Sequence, residues 1–188
     1  RLRAAPKWGN DDPCADRWAI ELLERRERAL KRVDAEFGQP PHTVCHVVRS
    51  LHHINGAQLP ASADGRRAFT PLADSIGAEV GSAHAGPTAI LNSVLKIDAP
   101  RFYRGGYNLN LTLPPTAPEQ IAALVESFFS QGGQELQINC FNTATLREAQ
   151  AHPERYGDLL VRIAGLSARF IDLSPLEQEE LIRRAESI

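Results

Sequence analysis

The sequence predicts an α/β fold, and three observations predict it. Stretches with apolar residues at helical spacing alternate with short extended runs, proline and glycine punctuate the boundaries, and no internal repeat suggests a solenoid. Asp12-Pro13 opens the first helix: an aspartate caps free backbone N–H groups, and proline at the first helical position lacks only an N–H that would be unpaired anyway. From there Ala15, Trp18, Ala19, Leu22, Leu23, Ala29, Leu30, Val33 and Phe37 recur at helical spacing. Glu21/Arg25, Glu24/Arg28 and Glu27/Lys31 form i,i+4 pairs, which mark a solvated face and not a binding patch. Gly38 and Pro40-Pro41 end this helix.

Thr43 to Leu51, rich in Val with Cys and His interleaved, predicts a strand. Residues 55–87 hold many Gly, Ala, Ser, Pro and Asp without a lasting period, which predicts a long ordered loop. Gly86-Pro87-Thr88 launches a helix through Ala89, Ile90, Val94, Leu95 and Ile97. Tyr107 to Leu113 is a strand that Pro114-Pro115 terminates. Ile121, Leu124, Val125, Phe128 and Phe129 form the next helix, closed by Gly132-Gly133. Leu136, Ile138 and Cys140 alternate with Gln137, Asn139 and Phe141 in a further strand, which places Cys140 on the apolar face as a small buried core residue. A helix from about Thr143 to His152, stopped by Pro153, leads to the apolar run Asp158 to Ala164, which ends at Gly165. Ser174-Pro175-Leu176-Glu177 has the layout of a capping box and starts a closing amphipathic helix.

Composition narrows the function. The 188 residues are 43% apolar with a formal net charge of −2 and interspersed charges, which leaves no footprint for nucleic acid or anionic membrane. Nothing approaches the roughly 18 consecutive apolar residues of a membrane span, and no secretory signal is visible, so a cytoplasmic location is expected. Cys14, Cys45 and Cys140 are odd in number and far apart, which argues against a disulfide framework or a thiolate zinc site and suits a reducing compartment. The chain opens at Arg1 and contains no Met, as expected of a processed, trimmed or partly observed polypeptide. His42, His46, His52 and His53 cluster in sequence, but no third ligand or supporting shell accompanies them, so strand and loop histidines are expected and no metal. Gly77, Gly81 and Gly86 lead into a helix N-terminus that offers free N–H groups to an anion, yet without a following Lys-Ser/Thr a nucleotide loop is not indicated.

By local physics Gly165 is a turn residue or a point of close backbone approach. Its surroundings point further. The segment Leu160-Val161-Arg162-Ile163-Ala164-Gly165-Leu166-Ser167-Ala168-Arg169-Phe170 resembles the radical-bearing loop of the glycyl radical enzymes, the family of pyruvate formate-lyase and its dehydratase, decarboxylase and lyase relatives. Four more blocks resemble that family in order: Pro6-Lys7-Trp8-Gly9-Asn10-Asp11-Asp12; Asp64-Gly65-Arg66 with Pro71-Leu72-Ala73-Asp74; Gly86-Pro87-Thr88-Ala89; and Thr145-Leu146-Arg147-Glu148-Ala149-Gln150. Leu166 departs from the aromatic residue usual after the radical glycine.

The resemblance implies a ten-stranded β/α barrel, two antiparallel sets of five parallel strands, of which this chain supplies the last part. Residues 1–133 would complete the catalytic barrel, and 134–188 would form the glycyl radical loop region and C-terminal helix. It implies an anaerobic, oxygen-sensitive lyase, dehydratase or formate acetyltransferase-like enzyme that stores a protein-derived radical on Gly165. Arg162 and Ser167 flank that position as loop supports or activase contacts, and His84 is a candidate for lining the substrate pocket. The implied partners are a radical S-adenosylmethionine activating enzyme with its iron–sulfur cluster and an N-terminal part or subunit carrying the catalytic cysteine, in a homodimer of the full enzyme. None of the three cysteines here stands in the context of that cysteine. The alternative is a stand-alone radical subunit that restores an oxygen-damaged partner, and a weaker one is a scaffold that has lost chemistry.

Overall fold

The computed structural model describes residues 1–47, 51–163 and 166–186. Helix α1 (Pro13–Phe37) starts where Asp12 Oδ1 accepts from the backbone N–H of Cys14 and Ala15, at 2.8 and 3.1 Å. It ends where Gly38 turns left-handed at φ 59°. The predicted Glu–Arg and Glu–Lys pairs lie along its solvated side.

The strand expected over Thr43–Leu51 does not form among the described residues. His46 makes a single parallel bridge to Tyr107, and Leu51 opens a short helix, α2 (Leu51–Gly56). In that helix His52 and His53, adjacent in the chain, both bring Nε2 to the carboxylate of Glu180. Adjacent residues on a strand point to opposite faces and could not share one partner.

Residues 57–86 are the expected long loop, held by their own polar groups. Arg66 donates to the carbonyls of Pro60 and Thr70, and Ser75 Oγ donates to that of His46 at 2.7 Å. Helix α3 (Pro87–Leu95) follows, then a four-residue helix α4 (Ala99–Phe102), which lies outside the sequence-based expectations although Asp98 caps it and Pro100 sits in its first turn.

Strand β1 (Leu109–Leu113), helix α5 (Pro118–Ser130) and strand β2 (Leu136–Cys140) make a βαβ unit, and the two strands run parallel with Leu111 opposite Ile138. Leu109, Leu111, Leu113 and Thr112 are all buried, as suits a strand covered on both faces. On β2 the expectation for Cys140 fails: the thiol is exposed, whereas Gln137 and Asn139 are buried. That face of β2 turns toward polar partners, described below, while Leu136 and Ile138 pack against the first core.

Helix α6 (Thr143–Ala151) leads to an antiparallel pair, β3 (Leu160–Ile163) and β4 (Leu166–Arg169), and then to α7 (Pro175–Glu186). The predicted capping box opens α7: Glu177 accepts from the Ser174 N–H, and Ser174 Oγ accepts from the Glu177 N–H. β4 was not foreseen, since Ser167, Ala168 and Arg169 carry little strand character.

Two apolar cores result. One gathers α3, α4, β1 and Phe128 of α5; the other gathers Leu146, Ala149, Val161, Phe170, Leu181 and Ile182. The mixed α/β class therefore holds. Among the described residues no helix is long and apolar enough to cross a membrane.

Gly56 is the tightest backbone approach behind this arrangement, because a Cβ there would lie 2.4 Å from the carbonyl oxygen of Thr70 and 2.8 Å from Cα of Pro71. We expect Gly56→Ala to lose about 1–3 kcal/mol in denaturant unfolding, as overpacking against backbone does. Gly38→Ala, with nothing within 4 Å of the added carbon, should cost only its left-handed backbone, about 1–2 kcal/mol. Equal and negligible losses at both sites would contradict the packing.

Candidate functional site

The β3–β4 hairpin is the candidate site. Leu160, Val161, Arg162 and Ile163 pair in register with Arg169, Ala168, Ser167 and Leu166. Val161 is buried in the second core, and the Phe170 N–H extends the pairing to the carbonyl of Leu159 at 2.8 Å. Arg162 and Ser167, singled out from the sequence, are direct cross-strand partners, and Arg162 Nη1 donates to Ser167 Oγ at 3.4 Å. Both are exposed. Ala164 and Gly165, the two residues between the strands, lie outside the described residues.

Among the described residues β3 forms no backbone ladder with β2: β1 and β2 make one sheet, β3 and β4 another. A side chain joins them. Asn139 Nδ2 donates to the carbonyl of Arg162 at 2.8 Å, and Asn139 Oδ1 accepts from the N–H of the same residue at 3.1 Å.

Beneath this contact lies a cavity of about 30 Å³, room for a water, lined by Asp74, Asn110, Asn139, Arg162, Glu180 and Arg184 among others. The lining is a buried ion network. Arg184 Nη1 meets Asp74 Oδ2 at 2.5 Å, and its Nη2 meets Glu180 Oε1. Glu180 is 3% exposed and also faces His53 Nε2 at 2.7 Å and His52 Nε2 at 3.2 Å. Asn110 Nδ2 donates to Asp74 Oδ2 at 2.6 Å. Burial alone would raise the Glu180 carboxyl, but hydrogen bonds from His52 and His53 and the charge of Arg184 hold it well below the usual carboxylate range. Burial likewise opposes the Arg184 cation, and Asp74 and Glu180 outweigh it.

One ligand atom from each of His52, His53 and Glu180 lies within 4.8 Å of the others, a spacing open to a cation. Arg184 already occupies the carboxylate, so a dication would face a guanidinium, and the cluster is better described as an ion network than as a metal site. The other two histidines of the sequence cluster lie elsewhere: His42 pairs with Asp34, and His46 stacks on Tyr103 with ring centroids 5.6 Å apart.

The remaining family-like blocks order the loops. Asn10 Oδ1 accepts from the N–H groups of His84 and Ala85, Trp8 Nε1 donates to the carbonyl of Ile76, and Lys96 bridges Asp11 and Asp16. Arg147 of α6 pairs with Glu179 and Glu186 of α7. His84 lies on the rim of an open polar groove of about 900 Å³ that shares no lining residue with the cavity under the hairpin.

Sequence reasoning missed Asn139, Glu180 and Arg184. Glu180/Arg184 reads as one more i,i+4 surface pair on an amphipathic helix, and Asn139 as the polar half of an alternating strand. A signal for Glu180 was present, since it lies on the same turn as the apolar Leu181 and Ile182.

A family profile described as glycine radical matches residues 72–171. The chain is 35% identical to the probable dehydratase YbiW of Escherichia coli (strain K12), over 98% of this chain and 24% of that protein. It is 34% identical to the trans-4-hydroxy-L-proline dehydratase of Clostridioides difficile, over 96% of this chain and 23% of that protein. Among solved structures, the glycerol-bound B12-independent glycerol dehydratase from Clostridium butyricum superposes with a TM-score of 0.85 at 32% identity, covering 98% of this chain and 24% of that one. The chain thus spans about a quarter of the length of the relatives it matches.

The network has a pH signature. The folded pKa of Glu180 lies below its ordinary value of 4.5, so its stabilising contribution is complete above that pH and is lost as pH falls further. Glu180→Gln should flatten the acid limb of unfolding stability, measured by denaturant titration from about pH 6 to pH 3. Parallel limbs in the two proteins would contradict the network.

Proposed function

The chain belongs to the glycyl radical family, and on that premise we propose that it is the radical-bearing C-terminal part of a glycyl radical enzyme of the dehydratase or lyase type, with Gly165 as the radical residue. One observation carries the reading. The family match over 72–171 spans the hairpin, and Arg162 and Ser167 pair across it on either side of position 165. On this reading 1–133 complete a ten-stranded barrel and 134–188 form the radical loop region and its closing helix.

Loss of one hydrogen atom from a glycine α-carbon leaves a radical that spreads over the adjacent amide nitrogen and carbonyl when the centre is nearly planar. A Cβ would crowd that planar centre, and glycine alone lacks one. The hydrogen atom would be removed by a radical S-adenosylmethionine activase, whose iron–sulfur cluster supplies the electron. Gly165 would then take a hydrogen atom from a cysteine thiol outside this chain, and the resulting thiyl would abstract hydrogen from substrate. Cys14, Cys45 and Cys140 are exposed, and nothing places them opposite the hairpin.

Arg162 and Ser167 would brace the loop or meet the activase. His84 remains a candidate for the substrate side by its place on the polar groove. The enzyme would work without oxygen, in the cytoplasm, as a homodimer of the complete protein. Similarity over 98% of the chain, and not over its end alone, favours this reading over a stand-alone radical subunit.

Full-length enzyme activated under argon with its activase should give an electron paramagnetic resonance doublet from a single α-hydrogen. Gly165→Ala should abolish it. An unchanged doublet in that variant would place the radical elsewhere.

A further inference from the structure

The geometry points to Asn139 as the positioning residue of the radical hairpin, an inference that rests on the proposed reading of Gly165. Among the described residues, the hairpin and the β1–β2 sheet share no backbone ladder, and the Asn139 carboxamide both donates to and accepts from the Arg162 backbone, in the way an adjacent strand would. The side chain is buried, with the residue 6% exposed, so water does not compete for these bonds. Arg162 is three residues before Gly165 and pairs with Ser167 two residues after it. A shift of β3 along β2 would therefore move Arg162 and its cross-strand partner Ser167 together.

Asparagine suits the task better than its neighbours in chemistry. A carboxylate at 139 keeps the acceptor for the Arg162 N–H but sets an acceptor against the Arg162 carbonyl. Leucine keeps the branched shape, though it is larger, and leaves both backbone groups without this partner. Ordinary strand pairing would also hold β3, but through several residues. The bidentate contact of Asn139 lets one side chain bear directly on the register.

On the proposed reading, the hold of Asn139 on β3 would bear on the distance between the Gly165 α-carbon and the thiol outside this chain. Hydrogen-atom exchange between the two reads that distance without any substrate. In heavy water the thiol is S–D. The glycyl carbon takes deuterium from sulfur, leaving a thiyl radical, and the thiyl takes an atom back from the α-carbon. When it takes protium, the carbon radical keeps deuterium, and one C–H and one S–D bond have become one C–D and one S–H bond with no net change in electrons. The doublet then collapses toward a singlet, because deuterium couples more weakly than protium.

The test uses full-length enzyme and its activase, activated anaerobically and transferred to heavy water. Wild type should collapse, while Asn139→Leu should take up a comparable radical and collapse more slowly by on the order of 10- to 100-fold, as expected when reacting atoms are misplaced by about an ångström. Asn139→Asp, which keeps volume and one bond, should fall between. Spin counts and thermal unfolding of the same samples separate this effect from a general loss of structure, which would lower the spin count and leave the collapse rate per spin alone. Collapse at the wild-type rate in both variants overturns the proposal. Loss of the doublet in both variants with a normal doublet in wild type also overturns it, since Asn139 would then act on installation. No doublet in wild type refutes the reading of Gly165 instead, a separable outcome.

Discussion

A guanidinium buried between two carboxylates is the interaction on which the rest depends. Arg184 meets Asp74 and Glu180 at the place where two apolar cores come together, and through Glu180 it engages His52 and His53. Apolar surfaces slide over one another at little cost, whereas a buried ion network tolerates one arrangement. Taking one member away strands a buried charge, which costs far more than the network adds to stability. The seam therefore contributes more to where α7 and the hairpin sit than to whether the chain folds.

That division of labour suits the proposed chemistry. A radical held on a backbone carbon and passed to a thiol asks for ångström-level placement of one residue. Position 165 falls between Ile163 and Leu166, whose backbones pair, and the arm on one side is tied to β2 by Asn139. Below it the ionised seam ties α7 to residues of α2 and the long loop. The hairpin is thus referenced to the rest of the molecule by polar contacts with defined geometry, and its second core stays small and local.

Local physics was legible where one element decides its own fate. Asp12-Pro13, Gly38, Gly132-Gly133 and the Ser174/Glu177 box announce helix ends, and β1 and β2 follow from their apolar patterns and bounding turns. It failed where a distant partner decided. Thr43–Leu51 has strand composition, but Glu180, 128 residues from His52, draws two adjacent histidines to one side. Cys140 looks like the buried member of an alternating strand until β3 covers the opposite face, where Asn139 finds the Arg162 backbone. Gly165 is singled out only through five ordered blocks of resemblance, since a glycine between strands is by itself an ordinary turn residue.

A carbon radical in the main chain reacts with dioxygen, and the chain breaks at that carbon. The most direct measurement is intact mass of the activated full-length enzyme after exposure to air. The account predicts a break at Gly165. A chain that stays whole, or breaks at another residue, contradicts it.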